Sequence, residues 1–284
     1  VPLDLSIPFT AARARNAGIA RLLELIPDVE FVQVVDGDCE LMSGFVEEAL
    51  LAMDRDPKVA VVCGRRRERY PAASIYNRLC DMEWNTPVGE AEASGGDALI
   101  RVSAFTAAGG YDAGVIAGEE PELCFRLRAL GWKVFRIDCE MTLHDAAVTE
   151  FAQWWKRAKR AGHAYAELYA MHGYWKREVR SVIAYAVAAP AVAAAVLPFS
   201  RIASLTVLAG VYGALYERVR RQRLRSGDST EDAALYARFC VIAKFAHLAG
   251  GAQYAYNRAR GKRSGIIEYK TASTSAADPA TAAP

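Results

Sequence analysis

The sequence predicts an α/β fold, a mostly parallel sheet flanked by helices, followed by an α-helical, membrane-associated C-terminal region. Three observations carry that expectation. Short runs rich in Val, Ile and Phe alternate with segments whose apolar residues recur at helical spacing, the order that builds parallel sheets. Residues 182–199 and 202–216 contain no charged side chain, and basic clusters at 176–180 and 218–225 bracket them. At 284 residues and 52% hydrophobic, the chain can hold one large domain plus an appendage.

Residues 11–25 are mostly good helix formers with Ile19, Leu22, Leu23 and Ile26 on one face, and Pro27 and Asp28 stop the helix. Phe31 to Val35 reads as a buried strand. A helix over residues 44–53 comes next, with Phe45, Ala49, Leu50 and Met53 at helical spacing, then a second strand over 59–63. Residues 65–69 read as a loop and 73–84 as a helix. Gly118 opens a helix that Gly131 ends, residues 134–137 form another strand, and a long helix runs over 150–172. The divisions expected are a main domain over 1–175, an apolar helical hairpin over 176–226, an amphipathic helical region over 227–270 and a disordered tail over 271–284.

Composition narrows the partners. The net charge is only +2, and the basic residues gather beside the apolar stretches, which suits a membrane surface rather than nucleic acid. The two apolar stretches are short for spanning helices and are interrupted by Pro190, Gly210 and Gly213, so buried or re-entrant helices are the competing reading. A hairpin would put both basic clusters on one side, the cytoplasmic side by the positive-inside tendency. Six scattered cysteines show no C-x-x-C pair or zinc spacing, which suits reduced thiols in the cytosol. Nothing at Val1 resembles a signal peptide, and the missing initiator Met reads as a start inside a longer protein.

Asp36 and Asp38, separated only by Gly37, close the first strand, where open α/β sheets place ligands. Both carboxylates could approach one hard cation, although a plain Asp-Gly turn gives the same tripeptide. The glycines of Ser94-Gly95-Gly96-Asp97 and Gly109-Gly110 permit close backbone approach or mark turns. Glu119, Glu120 and Glu122 exceed what helix capping uses, so one of them reads as a proton acceptor at the edge of a site. His144 comes after a short apolar stretch and matters only if the fold brings it to Asp38. Trp154 and Trp155 point about 100° apart on a helix, so one of them is left for a ligand, a loop or lipid headgroups.

In this order, several pieces resemble family 2 glycosyltransferases with the GT-A fold of nucleotide-diphospho-sugar transferases. Ala-Arg-Ala-Arg-Asn-Ala-Gly is similar to the family's Arg-Asn-x-Gly helix and Val-Asp-Gly-Asp to its D-x-D motif. Gly-Gly-Asp-Ala-Leu-Ile-Arg followed by Gly-Gly-Tyr-Asp resembles its acceptor-side loop, and Gly-Glu-Glu-Pro-Glu-Leu its E-D helix. The resemblance implies that Asp38, with Asp36 and His144, holds Mg²⁺ or Mn²⁺ against a nucleotide-sugar diphosphate. Arg15 and Asn16 would lie on the donor side, with Gly96 and Asp97 beside them. Glu120 matches the family's usual base, with glutamate in place of the more frequent aspartate, and Glu119 is its rival. Gln153-Trp154-Trp155 with Arg157 is distantly similar to the Q-x-x-R-W element, on the acceptor side.

The activity implied by the resemblance is inverting, metal-dependent transfer of a sugar to a saccharide or lipid-linked acceptor. Its setting would be surface polysaccharide or glycolipid synthesis at the cytoplasmic face of a bacterial inner membrane. Family members begin with further strands ahead of the Arg-Asn helix, and almost nothing precedes it here. The sequence is therefore read as a fragment or as lacking its base-binding half. Two other classes use the same features: a catalytically impaired membrane-associated module of this fold, and a metal-dependent phosphohydrolase or nucleotidyltransferase.

Overall fold

The computed structural model describes residues 1–4, 6–262 and 264–268; the expected disordered tail over 271–284 lies outside them. The first helix, α1 (Ala11–Leu25), starts where Thr10 accepts a hydrogen bond from the Arg13 N–H at 3.1 Å. It leads into β1 (Phe31–Val34), β2 (Cys39–Leu41), α2 (Phe45–Arg55), β3 (Val59–Glu68) and α3 (Ile75–Trp84). Next come β4 (Gly89–Ala91), β5 (Ala98–Arg101), α4 (Val102–Ala107), α5 (Glu119–Ala129) and β6 (Lys133–His144).

The strands form one six-stranded sheet in the order β1-β5-β3-β6-β2, with β4 also on β6. The α/β class holds, but the expected mostly parallel sheet does not. Only β3 and β6 pair in parallel; β5 runs antiparallel to β1 and β3, and β2 and β4 run antiparallel to β6. Apolar periodicity reports that a segment is a strand and says nothing of its direction, and β2 and β4 are too short to show a period.

Residues 65–69, expected as a loop, mostly continue β3, whose first seven residues are buried because it lies between β5 and β6. The pairing slips between Cys63 and Arg65. Gly64 sits at that bulge, where an added Cβ would lie 2.6 Å from the Cys139 carbonyl and 2.8 Å from Met141 Cβ. Val61, Val62, Leu99 and Ile100, which alternate between the two faces of the sheet, join Phe45, Met53, Leu123 and Leu127 in the main core.

Beyond the sheet, α6 (Phe151–His172) begins with a capping box between Glu150 and Gln153. Lys176–Val196 comes next as α7 (Lys176–Ile183), a π-helical turn (Ala184–Ala188) and α8 (Ala189–Val196). Pro190 supplies no N–H to the helix ladder, and the wider turn lies immediately before it. The chain then reverses into α9 (Arg201–Arg225): Ser204 donates to the Ala193 carbonyl at 2.7 Å and Tyr212 to that of Tyr185 at 2.9 Å, the registry of an antiparallel hairpin.

The last helix, α10 (Thr230–Ala259), is capped by Ser229 and lies along α6. Leu79, Trp154, Ala158, Leu235 and Ala246 form the second core there. Among the described residues, two helical segments are long and apolar enough to cross a membrane: Lys176–Val196 at mean hydropathy 1.8 and Thr230–Ala259 at 1.2. The second apolar stretch of the expected hairpin lies in α9, outside both segments, while α10, in the region expected to be amphipathic, is one of them.

Candidate functional site

The end of β1 supplies the first part of the site. Directly after the strand, the Asp36 N–H donates to Asp97 Oδ1 at 2.8 Å, which fixes the turn that carries Asp36, Gly37 and Asp38. Asp97 is fully buried and also accepts from the Thr142 hydroxyl at 2.8 Å and from Arg66 Nη2 at 2.7 Å. The same guanidinium reaches Asp36 at 3.3 Å. Burial favours loss of the charge on Arg66, and the carboxylates of Asp97 and Asp36 more than offset that, raising its pKa. Gly96, at φ +100°, leaves room for this pair: a Cβ would come within 2.9 Å of Arg66 Nη2 and 3.1 Å of Asp36.

From α1, Arg15 bridges two acids that are far apart in the chain. It bonds to Asp36 through Nη2 and to Glu119 through Nη1, the latter at 2.7 Å. Its neighbour Asn16, one helical step round, faces elsewhere. It exchanges hydrogen bonds of 2.8 and 2.9 Å with the backbone of Tyr111, pinning the Gly109-Gly110 loop to α1. Asn16 therefore positions the helix that carries Arg15.

The three acids at the start of α5 point to three different partners. Glu119 meets Arg15 and lines the cavity into which the β1 turn opens. Glu120, the base implied by the resemblance, is not on the cavity wall; Ser94 donates to it through both N–H and hydroxyl, the hydroxyl at 2.8 Å, and Cys124 Sγ lies at 3.3 Å. Glu122 pairs with Arg126 and His172. A step of about 100° between adjacent helical residues separates the first two roles.

On the other side of the turn, the end of β6 brings buried His144 to Asp38, with Nε2 3.3 Å from Oδ1. Pairing of β2 with β6 sets this register, since Cys39 lies opposite His144. Trp84 packs edge-on against the His144 ring at 4.6 Å, and the Arg66 guanidinium stands 5.6 Å from the Trp84 ring centre. Neither Arg66 nor Trp84 is marked by the sequence. A charged run and an aromatic at a helix end give no periodic signal that singles them out.

These groups face one cavity of about 1010 Å³, lined by Arg15, Asp36, Asp38, Arg66, Glu119 and His144 at one end. Trp154 and Arg157 lie on its α6 wall, whereas Trp155 packs against Phe151 away from it. Arg157 also pairs with Glu83 at 2.6 Å. Neither Gly96 nor Asp97 is on the wall; both support the residues that are.

Among the described residues, two groups of side chains lie close enough to share a cation, Asp38 with Cys39 and His144, and Asp36 with Cys39 and Asp97. The second is already served by the Arg66 guanidinium. The first offers a carboxylate and an imidazole, a donor pair that suits Mn²⁺ and accepts Mg²⁺ through the carboxylate. Burial pushes the Cys39 thiol pKa up, which makes it the poorer ligand of the three. Around the cleft, the guanidiniums of Arg15 and Arg66 pair with Asp36, Asp97 and Glu119, whereas Asp38 faces His144. A carboxylate and an imidazole within reach of one another are a donor set that a divalent cation takes, so Asp38 and His144 fit such an ion.

No protein-family model matches the chain, and no curated protein matches it at a significant level.

Proposed function

We propose that the chain is a glycosyltransferase of GT-A-like fold, moving a sugar with inversion from a nucleotide-sugar donor to a saccharide or lipid-linked acceptor. The observation that carries the reading is the single cavity on which Asp36 and Asp38, from the end of β1, meet Glu119, from the start of α5. Arg15 ties the two acidic regions together.

Asp38 and His144 would hold Mg²⁺ or Mn²⁺, whose Lewis acidity offsets the charge growing on a departing diphosphate. Arg15 and Arg66 bind the phosphate oxygens by charge-assisted hydrogen bonds. A diphosphate competes with Glu119 for Arg15 and frees the carboxylate. Glu119 then takes the proton of the acceptor hydroxyl as its oxygen bonds to the anomeric carbon; the bond to the diphosphate breaks, and its electron pair leaves with the nucleoside diphosphate. Two helices apolar enough to cross a membrane support work at a membrane surface, and the basic residues of 176–180 and 218–225 support its cytoplasmic face. Synthesis of a surface polysaccharide or glycolipid is the setting this implies.

Turnover of a panel of nucleotide sugars, monitored by release of nucleoside diphosphate, tests the proposal. Release that depends on Mn²⁺ or Mg²⁺ and on an acceptor, and that is lost in Asp38→Ala, is the expected result. Release of phosphate or pyrophosphate without any acceptor would instead identify a phosphohydrolase or nucleotidyltransferase.

A further inference from the structure

The cavity does not stop at the carboxylates. It continues past Trp84 between α6 and α10, where Trp154, Ala158 and Ala164 line one wall and Phe239 and Ala243 the other. Three cations stand in this apolar half: Arg157, Arg160 and Lys244. Arg157 has Glu83 as its counter-ion. The side chains of Arg160 and Lys244 make no hydrogen bond or salt bridge among the described residues, although both are partly buried.

Cations set in an apolar wall without a hydrogen-bonded counter-ion cost free energy that an incoming anion recovers. A free phosphate would use the cations and leave the alanine and aromatic wall unfilled. A neutral saccharide would leave the cations unmatched. One molecule with an anionic group and an apolar chain satisfies both, and α10, one wall of this half, is itself apolar enough to enter a bilayer.

We infer that the α6–α10 half of the cavity binds a lipid phosphate, the carrier of the saccharide acceptor. Its phosphate pairs with Lys244 and Arg160, its chain lies along the alanine and aromatic wall, and the attached sugar is directed toward Glu119. As a binding site this stands on the cavity alone; as the acceptor site it rests on the proposed sugar transfer.

The test is titration of the full chain, in non-ionic detergent, with farnesyl phosphate, farnesol, inorganic phosphate and a neutral oligosaccharide, read by tryptophan fluorescence because Trp84, Trp154 and Trp175 line the cavity. Farnesyl phosphate should bind at least about tenfold more tightly than the other three. Lys244→Gln should weaken it about tenfold, with Lys244→Arg restoring binding. Equal binding of farnesol or of inorganic phosphate, tighter binding of the oligosaccharide, or indifference to Lys244→Gln would overturn the inference. A parallel titration with a nucleoside diphosphate and Mn²⁺ separates the lipid site from the transferase. If that binding is absent and farnesyl phosphate still binds, the transferase reading fails and the lipid site stands; the converse removes the lipid site alone.

Discussion

Glu119 and Glu120 are adjacent in sequence and differ in what they touch, so their substitutions should separate chemistry from stability. Glu119→Gln removes the carboxylate to which the proposal gives the acceptor proton and keeps the shape of the side chain; transfer should fall by about 100-fold or more, with a loss of stability limited to the weakened Arg15 contact. Glu120→Ala leaves the Ser94 N–H and hydroxyl without their shared acceptor, and chemical denaturation should show a loss of about 1–3 kcal/mol. The reverse pattern would return the base to Glu120. The carboxylates of this site were legible in the sequence because acids at the end of a strand and at the start of a helix stand out against apolar surroundings. Which of two adjacent acids faces the cleft was not, since that depends on how α5 is rotated against β6 and Ser94. Arg66 was hidden for a related reason: in a run of three arginines nothing marks the one whose strand position faces Asp36 and Asp97.

The contact between α6 and α10 is set at two glycines. A methyl group at Gly162 would run into the His247 carbonyl, and one at Gly250 into the Lys159 carbonyl, so the two helices meet backbone to backbone. Either Gly→Ala change must push them apart, and thermal or denaturant unfolding should show a loss of about 1–3 kcal/mol despite the better helix propensity of alanine. Unchanged stability would mean that the helices can separate freely there. Helical segments were the most legible elements, because α2, α5 and α6 repeat their apolar residues over several turns. Strand extent was not: β3 runs on into Arg65 to Glu68, where polar side chains replace the apolar signal, and β6 into Asp138 to His144, where Cys139, Met141 and Leu143 alternate with polar residues. Strand direction, and with it the mixed sheet, is decided by pairing between segments distant in sequence.

On the scale of the molecule, the polar cleft and an exposed apolar surface belong to different layers. At the turn between α8 and α9, Phe199 is 89% and Ile202 79% exposed, far more than large apolar side chains need be in water. Burying each in lipid is worth about 1.5–3 kcal/mol, so Phe199→Ser with Ile202→Ser should lower the vesicle partition constant read by co-sedimentation by about 100-fold or more, on the order of 3 kcal/mol, while thermal stability is kept. Equal sedimentation of this double variant would place the membrane contact elsewhere, on Lys176–Val196 or α10. The cleft itself makes the central claim, that Asp38 and His144 complete a cation site against which Arg15 and Arg66 present a diphosphate. Calorimetric titration of the chain with a nucleoside diphosphate tests it most directly, with Mn²⁺, with a chelator, and with Asp38→Ala in place of the native residue. Binding that requires Mn²⁺ and disappears in the variant is the predicted result; equal affinity in all three conditions would contradict it.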